Sequence, residues 1–137
     1  MNGKSWLVVL MGVAVCGASW AQDLVTYHIS DAKVQAVQAL RNIRNHLDTD
    51  PSAKVTVVSH GAGVDFLLEG AKDPQGGAFA GPIAALVARG VKFEVCEITL
   101  RSRNMKKDDF VQEAQFTPSG VVRLTQLQRS GFAYIKP

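Results

Sequence analysis

Cysteine is scarce in this chain: 137 residues carry two, Cys16 and Cys96. Cys16 lies in the apolar opening segment, so a matured chain would keep Cys96 alone. No internal disulfide can then staple the fold, and a packed core has to hold it. Aromatics make up only 7% of the residues, and no stripe of Lys and Arg is interleaved with them. That argues against a nucleic-acid groove, although the formal charge is +3. No apolar run reaches the roughly 20 residues that a membrane-spanning helix needs. His28, His46 and His60 could be combined with Cys96 as metal ligands, yet no pair of them has a short ligand spacing, and no metal is expected. Repeats and low-complexity segments are also lacking.

What the chain does have begins with a leader. Lys4 precedes the apolar run Trp6 to Val15, and small residues lead to Ala18-Ser19-Trp20-Ala21. Ser19 and Ala21 form the small-x-small pattern of a signal peptidase site ahead of Gln22. Residues 1–21 are therefore expected to be a cleaved signal peptide, with export to the periplasm and no stable membrane anchor afterwards. A lipid anchor on Cys16 is disfavoured by the bulky Val15 before it. Residues 22–137 then make one domain, too short for two.

Strand-like and helix-like patterns alternate along that domain. Strands are expected at Leu24 to Ile29, Lys54 to Ser59, Val91 to Ile98, Val111 to Phe116 and Phe132 to Ile135. A first helix follows Ser30-Asp31, with Val34, Val37, Leu40, Ile43 and Leu47 at helical spacing, and ends at Asp50-Pro51. Short helical segments are expected around Val64 to Glu69 and from Phe79 to Gly90. A last helix, capped by Thr117 with Pro118 in its first turn, turns Val121, Leu124 and Leu127 inward until Gly131. Such alternation implies a mostly parallel sheet covered by helices on both faces. Sites in such sheets gather beyond the carboxyl ends of the strands. The His60 loop, Cys96 and the start of the last helix all fall there.

Cys96 is the leading chemical candidate. Alternation puts Lys92, Glu94 and Cys96 on one face of their strand, and two charges there point to a sheet edge or a subunit boundary. The thiol could be an inert core group, an intermolecular bridge or a nucleophile. Glu97 beside it would disfavour a thiolate, whereas Arg101, Arg103, Lys106 and Lys107 would favour one. The run Val58-Ser59-His60-Gly61-Ala62-Gly63 is the second candidate. Its glycines would let a backbone approach a ligand, but it fits no dinucleotide fingerprint, phosphate loop or nucleophile elbow. A tight turn with a polar tip is the simpler account. Ser59, His60 and Asp65 are close in sequence, and sequence neighbours seldom make a hydrolytic triad. His46 shares a helix face with Asn42 and Asn45 and is expected at solvent or an interface. The basic run from Arg101 to Lys107 is either a solvated loop or an attractor of a small anion or acidic partner.

Several segments together resemble the DsrE-like (DsrE/DsrF sulfur-relay) family, in particular its exported single-domain members. They are Leu40 to Leu47, Val57 to Gly63, Gly90 to Leu100, Pro118 to Val121 and Gly131 to Pro137. The resemblance implies a three-layer α/β/α sandwich around a parallel sheet of about five strands, assembled as a homotrimer or hexamer. It implies no cofactor. It also implies that Cys96 matches the cysteine that accepts sulfur as a persulfide in the relay members. Those members work in the cytoplasm with dedicated partner subunits, whereas this chain is expected to leave it.

Two readings of function follow. In the first, Cys96 is a persulfide-bearing sulfur carrier or transferase, with His60 or a neighbouring cation lowering its pKa. An anionic donor would then be held by Gly61, Gly63, Ser119, Arg101 and Arg103. The donor or acceptor would be a small anion or a protein. In the second, the chain is a non-catalytic assembly or binding module in which Cys96 merely packs.

Overall fold

The computed structural model describes residues 21–137. The expected signal peptide, apart from its last residue, lies outside them. Five strands form one all-parallel sheet: β1 (Leu24–Asp31), β2 (Lys54–Ala62), β3 (Lys92–Cys96), β4 (Ala114–Thr117) and β5 (Ala133–Ile135). Their spatial order is β4-β3-β2-β1-β5. The helices are α1 (Ala32–Thr49), α2 (Ala80–Ala88), α3 (Glu97–Ser102) and α4 (Gly120–Arg129). The result is the expected three-layer α/β/α arrangement, and the chain order strand–helix–strand builds it because parallel neighbours need a crossover between them.

The two faces of the sheet differ in chemistry. Val25, Tyr27 and Ile29 of β1, Val55 and Val57 of β2, and Phe93 and Val95 of β3 bury one face under α1 and α2. This is the main core, and Phe66, Leu67, Ile83 and Leu86 complete it. On the other face, Val58 meets Leu124 and Leu127 of α4, with Phe132 alongside. Side chains alternate along strands, so Thr26, His28, Thr56, His60, Glu94 and Cys96 share that second, polar face. One helix of ten residues covers it.

Boundaries follow from local chemistry. Asp31 caps α1 by accepting from the Lys33 N–H at 3.0 Å. The Gln35 side-chain carbonyl accepts from the N–H groups of Ser30 and Asp31 at 2.8 and 2.9 Å, so the helix's own side chain satisfies the backbone that leads into it. Gly90, with φ of 91°, closes α2 in the left-handed conformation expected of it.

The structure departs from the sequence expectations at several places. Val34 and Val37 are exposed, at 74% and 41%. The buried stripe of α1 runs instead through Ala36, Ala39, Leu40, Ile43 and Leu47, because alanine lets the helix lie close on the sheet. Val121 likewise faces out of α4. The α4 cap is Ser119, whose hydroxyl accepts from the Val122 N–H at 3.4 Å, rather than Thr117. Thr117 is taken up by β4, where it pairs with Cys96. Strand β3 stops at Cys96, and a short helix occupies Glu97–Ser102, where strand and loop were expected.

Two charges on β3 do not mark a sheet edge, since β4 lies outside it. Glu94 is only 6% exposed and is matched by Arg123 of α4. The guanidinium grips its carboxylate through Nε at 2.6 Å and an Nη nitrogen at 2.9 Å. This bidentate pair lets a carboxylate sit under the helix. Arg123→Ala would leave Glu94 buried without its partner. Because Arg123 is 30% exposed and water could partly replace it, the expected loss is about 2–3 kcal/mol rather than the larger cost of a sealed pair. Urea unfolding of the variant measures this directly.

Candidate functional site

Beyond the carboxyl ends of β2 and β3 the structure brings together His60, Cys96 and the start of α4. Gly120 stands between them. A Cβ built on Gly120 would lie 3.2 Å from the Cβ of Cys96 and 3.2 Å from the Cβ of His60. A side chain there would fill the space that separates the thiol from the imidazole. Glycine is required at this position for that close approach rather than for its φ.

Cys96 is 5% exposed and forms the N-cap of α3. Burial pushes its thiol pKa up. The N–H groups of Gly120, Thr99 and Ile98 and the Thr99 hydroxyl offset this and bring the pKa below its ordinary value, although the sulfur makes no cap hydrogen bond at the start of α3. Donors from the first turns of two helices thus stabilise the thiolate against the cost of burial. The Thr99 hydroxyl also accepts from the Gly61 N–H at 2.8 Å, which ties the loop after β2 to the start of α3.

His60 has a second imidazole as its neighbour. The Nε2 atoms of His60 and His28 are 2.7 Å apart, and Nδ1 of His28 is 2.6 Å from the Tyr134 hydroxyl. Burial is the main reason both imidazoles titrate low. For His28 the His60 and Lys136 charges add to it, and its pKa is lowered to about 4; for His60 the Lys136 charge adds to burial. Lys136 is carried there by the chain end, where the Gln35 side-chain N–H donates to the Pro137 carbonyl at 3.1 Å.

The residues put forward for an anion are more scattered. The N–H of Gly61 is taken by Thr99, and the Ser119 hydroxyl caps α4. Arg103 donates to the Gly61 carbonyl at 3.0 Å and to Asp65 at 2.6 Å. Gly63 packs against the backbone of Ile29 and Ser30. Arg101 is exposed. The groups that act on the thiol are those of Gly120, Thr99 and Ile98.

No triad forms from Ser59, His60 and Asp65. Ser59 is fully buried on the main-core face, its hydroxyl without a partner, and Asp65 is held by Arg103. His46 lies on α1, half-buried, 3.4 Å from the Tyr27 hydroxyl and away from the site. Among the described residues no three His, Cys, Asp or Glu side chains gather as metal ligands would.

Sequence reasoning weighed His28 only as a metal ligand and passed over Tyr134, Thr99 and Lys136. Alternation along β1 could have placed His28 on the same face as His60. Nothing in the sequence could place Tyr134, because that needs the pairing of β1 with β5.

Comparison with known proteins agrees with this architecture. The chain matches the DsrE/DsrF-like family over residues 21–137. It is similar to the structure of MTH1491, a protein of unknown function from Methanobacterium thermoautotrophicum, with a TM-score of 0.75 and 28% identity. That match covers 85% of this chain and 100% of the other. The ychN protein from E. coli has the same fold, with a TM-score of 0.71, 15% identity and the same coverage. No curated protein matches the chain.

Proposed function

This chain belongs to the DsrE/DsrF-like family, and from that premise we propose that it is an exported sulfur carrier in which Cys96 accepts sulfur as a persulfide. The observation that carries the reading is the setting of the thiol. At the carboxyl end of β3 its pKa is lowered despite burial, by the nearby N–H groups of Gly120, Thr99 and Ile98 and the Thr99 hydroxyl. A cysteine that only packs has no use for surroundings that favour its thiolate.

The chemistry is a displacement at sulfur. With thiosulfate as donor, the Cys96 thiolate attacks the outer sulfur, and a new S–S bond forms to Cys96. The S–S bond of thiosulfate breaks, and sulfite leaves with the bonding pair. Charge is conserved, and the product is the Cys96 persulfide anion. The same N–H groups that hold the thiolate are available to the persulfide. An acceptor thiolate would take the outer sulfur by the same displacement and restore Cys96.

Intact-mass spectrometry after exposure to thiosulfate or polysulfide tests the proposal. Wild type is expected to gain whole sulfur atoms, and Cys96→Ser none. The same spectrum reads the amino terminus of protein recovered from the periplasm, expected at Gln22. An unchanged mass, with Cys96 slow towards an alkylating reagent, would leave the assembly-module reading.

A homo-oligomer, trimer or hexamer, is part of the proposal. Ile98 of α3 and Val121 and Val122 of α4 are exposed on the two helices that start beside Cys96. Apolar side chains exposed on these two helices supply surface for a second copy. Sedimentation of wild type is expected to give three or six times the chain mass, and Val122→Asp to shift it towards the monomer. A monomeric wild type would remove the oligomer from the proposal.

A further inference from the structure

We infer that the groove between α1 and α2 is a second binding site, which takes a small amphipathic anion with an unbranched apolar body and one carboxylate head. The groove lies on the main-core side of the sheet, and neither Cys96 nor the groups around it line it. The inference is therefore independent of reading Cys96 as the sulfur acceptor.

The groove follows from short side chains where the two helices face each other. On α1, Val37, Leu40, Arg41 and Arg44 recur at helical spacing along one side of it. Pro82 and Ala85 of α2 stand opposite, and side chains of that length leave the space between the helices unfilled. Leu40, Phe79 and Leu86, none more than 7% exposed, make an apolar floor. What remains is an open groove of about 390 Å³, within the size range of sites that hold small ligands. Val37, which the core leaves out, forms part of its wall, so an occupant would cover it.

Charge selects the occupant. Three guanidiniums and one carboxylate, that of Asp73, line the groove. Arg89 is matched by Asp48 of α1 at 2.8 Å. Asp73 accepts from the N–H groups of Gln75 and Gly77, each at 2.8 Å. Among the described residues Arg41 and Arg44 have no acidic partner. Both are exposed, one turn apart on α1, so their planar forks can meet a single carboxylate. An apolar floor beside two unmatched cations fits a ligand with an apolar body and an anionic head, and disfavours a cationic one. From Val37 to Arg44 the helix advances roughly 10 Å, which suits a chain of about eight carbons.

A second copy of the chain is the competing occupant, and charge argues against it. Pairing groove to groove about a two-fold axis would set Arg41 and Arg44 against the same two cations of the other copy. The apolar side chains already offered to a second copy, Ile98, Val121 and Val122, lie on α3 and α4 instead.

Titration of the methyl-labelled protein with octanoate, and separately with 1-octanol, followed by NMR, tests the inference. Octanoate is expected to shift the methyl signals of Val37, Leu40 and Leu86 saturably, and 1-octanol to bind more weakly at the same place. Replacing both arginines, Arg41→Gln with Arg44→Gln, is expected to weaken octanoate about tenfold, since each exposed guanidinium contributes only what a surface ion pair does. The same double variant should leave 1-octanol unaffected. Ala85→Phe, at an exposed helix position, fills the groove and should abolish binding of both. Absent shifts, shifts scattered over the protein, or octanoate binding indifferent to the arginines or to Ala85→Phe would overturn the site. So would a change in sedimentation caused by Ala85→Phe, which would make the groove a contact between copies. Sulfur uptake at Cys96 should stay at the wild-type rate in these variants. A wild type that binds octanoate but takes up no sulfur would sink the carrier reading and leave the groove standing.

Discussion

Cys96→Ser is expected to abolish sulfur uptake altogether while leaving the fold and assembly as they are. Serine keeps the N-cap position of α3, where it is a preferred residue, and differs from cysteine only by a smaller oxygen in place of the sulfur. What it lacks is chemistry. A hydroxyl ionises far above the range of a thiol and cannot form a persulfide, so no residual rate is expected rather than a reduced one. The two quantities to compare are the mass increment after thiosulfate and the midpoint of urea unfolding. The first should vanish and the second should move by less than about 1 kcal/mol. A Cys96→Ser protein that still gained sulfur would place the acceptor elsewhere and sink the reading.

Gly63→Ala carries the largest expected effect on stability. A Cβ at this position would stand 2.0 Å from the carbonyl oxygen of Ile29, 2.5 Å from its carbonyl carbon and 2.8 Å from the Ser30 Cα. All three are backbone atoms of β1, where the pairing with β2 already shifts register between Ile29 and Asp31. No rotamer change can relieve the clash, so β1 or the loop after β2 has to move. The expected cost is about 4 kcal/mol or more, a large share of the stability of a domain this size. Gly81→Ala is the control. A Cβ there meets nothing within 4 Å inside α2, and the change should stabilise by about 0.5–1 kcal/mol through helix propensity. Urea midpoints of the two variants should therefore move in opposite directions. An unaffected Gly63→Ala would mean that the loop after β2 can give way freely, and with it the placement of His60.

The strands and helices were legible because their signals are local. The valine-rich run Val55 to Val58 and the β-branched start Leu24 to Ile29 alternate or cluster as buried strands must. Gly90 and Gly131 end helices with φ of 91° and 90°, as expected of them. Where expectations failed, the deciding partner lay far along the chain. Val34 and Val37 fit a helical stripe as well as Ala36 and Ala39 do, and only the approach of α1 to the sheet selects the alanines. Lys92 and Glu94 read as an edge because Arg123, twenty-nine residues beyond Glu94, could not be foreseen as its partner.

The candidate site divides in the same way. The sequence by itself determined an alternating, mostly parallel α/β domain, the Cys96 thiol near the end of its third strand, and a glycine-rich turn carrying His60 in the second. These are consequences of periodicity and of residue type, which every short window of the chain expresses. Only the tertiary structure decided that Gly120 separates the thiol from the imidazole, and that Thr99, Ile98 and Gly120 bring polar groups that favour the thiolate. It alone set His28 between His60 and Tyr134. The physical reason is that hydrogen bonds are read at distances near 3 Å, whereas their partners here come from five segments spread between residues 28 and 134. Strand register and the seating of α4 bring those segments together, and neither is written in any one stretch of sequence.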